Sequence, residues 1–97
     1  MPTYIWLVNW TDQGIRNVKE TTKRAKSFKE MAEKMGVKAK EIFWTMGRHD
    51  LVLVIDAPDD ETISSLTLGV GMSGNVKQET LKAFSVQEME QILKGLP

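Results

Sequence analysis

Leu51-Val52-Leu53-Val54-Ile55, entered through the turn Gly47-Arg48-His49-Asp50 and followed by Asp56-Ala57, decides the fold. Its five residues are aliphatic and would be apolar on both faces of any strand they form. A strand with one face in water alternates apolar and polar side chains. This run does not alternate, so both of its faces require cover. A chain of 97 residues with few helices covers one face from its own length. A second copy of the same chain is the simplest cover for the other.

That length fits one domain over residues 1–97, with a real but thin core. Hydrophobic residues make up 41% and charged residues 27%, the balance of an ordinary globular protein. No apolar run approaches the ~20 residues of a membrane span, and the N-terminal residues lack the basic-then-apolar pattern of a signal peptide. The absence of cysteine excludes disulfides and thiolate metal sites, and a cytoplasmic location is expected. Net charge is zero but unevenly placed: residues 16–40 carry nine Lys/Arg against three Glu. A basic helix face attracts nucleic acid. A solvated outer face accounts for the same residues more simply, so nucleic acid is the weakest partner expectation.

Outward from the central run, strands alternate with helical periodicities. Pro2–Trp10 reads as a first strand, with Tyr4, Trp6, Val8 and Trp10 on one face and Ile5 and Leu7 on the other. Thr11-Asp12 caps a helical turn, and Gly14 loosens the chain before a long helix ending near Met35. Val18, Ala25, Phe28, Ala32 and Met35 form the apolar stripe of that helix, and Gly36 stops it. Lys40–Met46 reads as a second strand, with Ile42, Trp44 and Met46 on one side. The turn at residues 47–50 joins it to the central strand as a hairpin. Asp59 caps a second helix with buried positions Ile63, Leu66 and Val70, closed by Gly71–Asn75. Val76–Phe84 is the fourth strand. Ser85-Val86-Gln87-Glu88 is a capping box that opens a last helix of about nine residues, with Met89, Ile92 and Leu93 on its apolar side. The predicted class is α+β: a ferredoxin-like βαββαβ order, a four-stranded antiparallel sheet, and an extra C-terminal helix.

The pattern Pro2-Thr3-Tyr4-Ile5, Thr11-Asp12-Gln13-Gly14-Ile15, Gly47-x-x-Asp50, Ala57-Pro58-Asp59-Asp60 and Gly74-Asn75-Val76-x-x-Glu79-Thr80-Leu81-x-Ala83-Phe84 spans nearly the whole chain. It resembles the GYD-domain family of small, mostly uncharacterised microbial proteins. The family's Gly-Tyr-Asp turn corresponds here to residues 47–50, with histidine where the family often has tyrosine. The resemblance implies a dimeric α/β barrel, two sheets packed face to face around a partly open interior. Its superfamily includes cofactor-free monooxygenases, isomerases, haem enzymes and ligand sensors, so fold alone does not decide activity.

Few residues carry chemistry. Gly69-Val70-Gly71-Met72-Ser73-Gly74 matches a dinucleotide fingerprint literally, but it closes a helix and precedes a strand, the wrong polarity for binding pyrophosphate. His49 and Asp50 are the one pairing suited to proton transfer and are the candidate catalytic residues. Neighbours on a strand point to opposite faces, however, and Asp in a turn more often bonds backbone amides. His49 has no second histidine and no cysteine beside it, so neither a metal site nor a cofactor is expected. Tyr4, Trp6 and Trp44, with Arg48, are the candidate ligand-binding residues: the aromatics lining a barrel interior would hold a planar apolar molecule. Dry packing in a dimer interface is the commoner use of such residues.

The leading functional expectation is an oligomeric module, at least a homodimer through the sheet face, that binds a small molecule or serves in regulation or assembly. The alternative is a cofactor-independent oxygenase or isomerase, with Tyr4, Trp6 and Trp44 sandwiching an aromatic substrate and His49 moving a proton.

Overall fold

A computed structural model describes residues 1–97. The strands are β1 (Thr3–Trp10), β2 (Lys38–Trp44), β3 (Leu51–Asp56) and β4 (Val76–Ala83). The helices are α1 (Asp12–Arg16), α2 (Thr21–Lys34), α3 (Asp60–Met72) and α4 (Val86–Lys94). The strands form one sheet in the order β2-β3-β1-β4, antiparallel throughout. This is an α+β architecture consistent with the ferredoxin-like fold. No helix is long and apolar enough to cross a membrane.

The two faces of the sheet differ. Tyr4, Trp6 and Val8 of β1 and Leu51, Leu53 and Ile55 of β3 point to the helical side and are buried with Ala32, Ile63 and Leu66. Their alternates, Ile5, Leu7, Val52 and Val54, stand on the opposite face and stay partly accessible. The register aligns them across strands, Phe43 beside Val52 beside Leu7, and Val54 beside Ile5 beside Leu81. Phe43 is 53% and Leu81 41% exposed. The smallest dimension of the molecule, 19 Å, matches a sheet with a single layer of helices.

The central strand and the antiparallel pairing are as the sequence predicts, but the chain after β1 differs in detail. The expected capped turn and long helix are both present, but the break between them falls at Asn17 rather than at Gly14, and Val18, expected in the long helix, lies in a 3₁₀ turn at Val18–Glu20 that precedes α2. Asn17, at φ −104° and ψ 25°, leaves the helical conformation and caps α1. Gly14 does not loosen this segment. It is buried in α1, where a Cβ would sit 1.9 Å from the Asn75 carbonyl oxygen. That close approach docks α1 onto the α3–β4 turn. Thr11 N–H donates to Asn75 O at 3.1 Å, and Gln13 Nε2 donates to Ser73 O and Asn75 Oδ1, each at 3.0 Å. β2 also lies two residues earlier than its apolar pattern predicts. Thr45 N–H already bonds Asp50 O at 2.8 Å, so the turn starts there, and Met46 is left 99% exposed. A bulge at Lys40 adds one residue to β2, and Lys40 Nζ lies 3.6 Å from Asp56 Oδ2.

Candidate functional site

The turn that carries His49 and Asp50 reaches back onto the end of β1. Gly47, at φ +112°, supplies a backbone conformation that side-chain-bearing residues avoid. Asp50 N–H donates to Val8 O at 2.8 Å, and its Oδ2 accepts from Trp10 N–H at 2.9 Å. Asp50 is thereby committed to the backbone. His49 turns the other way: its Nδ1 lies 3.0 Å from Asn9 Oδ1, while Asn9 Nδ2 donates to Arg48 O at 2.7 Å. With the Asn9 amide nitrogen occupied as donor, its oxygen accepts, which puts a proton on His49 Nδ1. The two candidate catalytic residues bond different partners and do not form a pair. The Arg48 side chain is exposed on the same turn.

The aromatic candidates lie elsewhere. Tyr4 and Trp6, each 2% exposed, are in the helix-covered core rather than on the open sheet face where a barrel interior would place them. The reason is parity: β1 turns its even-numbered residues to the helices and its odd-numbered residues outward. Tyr4 donates its hydroxyl proton to Asp60 Oδ1 at the start of α3. That bond and burial push the Tyr4 phenol up to about 12, and the same bond, with Lys82 beside it, holds the Asp60 carboxyl below its ordinary range. Trp44, on the edge strand, is 41% exposed and donates its indole N–H to Thr21 Oγ1 at 3.0 Å.

A cavity of about 440 Å³ lies between α2 and α3, floored by Trp6, Trp10 and Leu53 and walled by Phe28 and Val70. α2 packs on β2 and α3 on β4, and the cavity lies in the gap between the two helices. Trp6 and Phe28 meet there with ring centroids 5.3 Å apart and planes inclined by 42°. Of the sequence candidates only Trp6 lines this cavity; His49, Asp50, Tyr4, Trp44 and Arg48 do not. Arg24 and Phe28 do, and neither was singled out as a site residue. The available signal was Arg24 four residues before Phe28, which puts a cation beside the apolar stripe of the helix. No group of three or more His, Cys, Asp or Glu residues is arranged to hold a metal ion.

The family model described as the GYD domain matches residues 4–93. The chain is also 32% identical over 95 residues to a protein of Thermus thermophilus named glutamine synthetase and cystathionine beta-lyase binding protein. That alignment covers 97% of this chain and all of the relative. No solved structure gives a match.

Proposed function

This chain belongs to the GYD-domain family, and we propose that it is a non-catalytic binding module. In this proposal it pairs with a second copy through the open sheet face and acts in regulation or assembly on partner proteins. One observation carries the reading: Ile5, Leu7, Phe43, Val52, Val54 and Leu81 form a contiguous apolar face that no helix of the chain covers. The face they share measures roughly 400 Å² in projection, with Glu41, Lys77 and Glu79 at its rim, and the largest apolar patch on a protein is often functional. The Asp50 carboxylate serves the backbone and His49 bonds Asn9, so the turn works as a rigid corner of that face. The name of the Thermus relative supports protein partners, and glutamine synthetase and cystathionine beta-lyase are the first two to test.

Light scattering tests the pairing. The wild-type chain, 11.0 kDa by sequence, should run at twice that mass or more, and Leu7→Asp should run as a folded monomer. A wild-type monomer would remove the proposal. Pull-down of purified glutamine synthetase and cystathionine beta-lyase by the wild-type protein then tests the partner class directly.

A further inference from the structure

The cavity between α2 and α3 is separate from the sheet face, and we propose that it binds a small apolar carboxylic acid. The hydrocarbon or aromatic body lies on Trp6, Phe28 and Val70, and the carboxylate is taken by Arg24. At about 440 Å³ the space falls within the ~300–1,000 Å³ typical of ligand sites. Its walls are mainly apolar, which suits the body of the ligand.

The head group is specified by what the protein leaves unbonded. Two buried side-chain nitrogens lack a hydrogen-bond partner, Trp6 Nε1 and Arg24 Nη2, and both residues line this cavity. Trp6 is 2% exposed, so its indole N–H is shut off from bulk water. Arg24 is anchored through Nη1, which donates to Asn17 O at 2.9 Å, while its Nη2 is buried without a partner. Buried polar groups are nearly always satisfied, and an orphan at a cavity points to a missing partner. Both orphans are donors, so the missing group is an acceptor. One belongs to a guanidinium that stays charged at any working pH, which favours an anionic acceptor. The neighbouring cation, Lys23, faces Glu20 at 3.5 Å. A single available cation matches a monoanionic carboxylate rather than a phosphate dianion.

The test uses naphthalene-1-acetate and its neutral analogue naphthalene-1-ethanol, with titration calorimetry and the ¹H–¹⁵N indole resonances as readouts. The acid should bind saturably and move the Trp6 indole resonance, while that of Trp44, already bonded to Thr21, stays in place. Arg24→Met should weaken the acid by about tenfold or more and leave the weaker binding of the alcohol unchanged. Val70→Trp should block both by filling the space. Trp10→Phe and Trp44→Phe assign the Trp6 resonance by elimination, so the assignment does not depend on a Trp6 variant folding. Equal binding of acid and alcohol, an unmoved Trp6 resonance at millimolar acid, or an Arg24→Met protein that binds the acid as well as wild type would each overturn the proposal. None of these results depends on whether the sheet face pairs.

Discussion

The Tyr4 hydroxyl on β1 donates to Oδ1 of Asp60 in the first turn of α3, and Lys82 Nζ on β4 reaches the same oxygen at 3.3 Å. One carboxylate thus ties the centre of the sheet, its β4 edge and a helix N-terminus together. The bond raises the phenol to about 12 and lowers the carboxyl, so the two groups set opposite limits on stability. The contribution of Asp60 is present above the ordinary carboxylate pKa of ~4 and is lost as pH falls through its depressed folded value. Asp59, also held low by a helix-capping bond, acts in the same direction. The contribution of Tyr4 is complete below pH ~10 and disappears as pH rises from there through about 12. Urea midpoints should therefore be level from about pH 5 to 9 and fall at both ends. Tyr4→Phe should lower the plateau and flatten the alkaline fall. An alkaline fall identical in the variant would show that Tyr4 does not set it.

Two glycines should respond oppositely to the same change. Gly14→Ala forces a methyl group into the Asn75 backbone and should destabilise the fold by roughly 1–3 kcal/mol, because the atom it meets is main chain. Gly69, inside α3, has nothing within 4 Å of its added Cβ. Gly69→Ala should stabilise by about 0.5–1 kcal/mol through helix propensity. Chemical denaturation of both variants checks the signs, and a stabilising Gly14→Ala would contradict the close approach.

Asp50 and His49 should also separate. Asp50→Ala leaves the Trp10 N–H without its acceptor and should cost roughly 1–3 kcal/mol, read from the urea midpoint. His49→Ala removes one bond to a partly exposed Asn9 and should change stability by less than about 0.5 kcal/mol. Equal losses would mean that the histidine carries part of the hairpin.

At the other end of the chain, Ser85 and Glu88 complete a reciprocal capping box at the start of α4. Met89, Ile92 and Leu93 of this helix are 43–51% exposed, so α4 gains little from burial within its own chain. Ser85→Ala should reduce far-ultraviolet helicity while leaving the urea midpoint of the body nearly unchanged. A matching fall in that midpoint would show that α4 is cooperative with the sheet.

Much of this fold is written in local patterns. The unbroken run Leu51–Ile55, the Asp59 and Ser85 caps and the stripe through Phe28 and Ala32 each depend on neighbours a few residues away, and each is legible. What escaped depends on distance along the chain. The seating of α1 depends on Gly14 packing on Asn75, a contact across about sixty residues that no periodicity encodes. The placement of Tyr4 and Trp6 turns on which face of a two-sided apolar strand the helices choose, and alternation does not distinguish two greasy faces. The cavity arises from the separation of α2 and α3, which is a property of packing. Arg24 beside the apolar stripe was its one visible trace.

Both border strands of the sheet are guarded. β2 carries Lys38, Lys40 and Glu41 with its bulge, and β4 carries Lys77, Glu79 and Lys82. Charges and bulges along a border discourage strand addition, the mode of contact that repeats without end and grows fibres. On the broad surface Glu41, Lys77 and Glu79 rim an apolar centre of Ile5, Leu7, Val52 and Val54. A contact on that surface would be used up once two copies meet, so the proposed pairing would give a finite, self-limiting assembly.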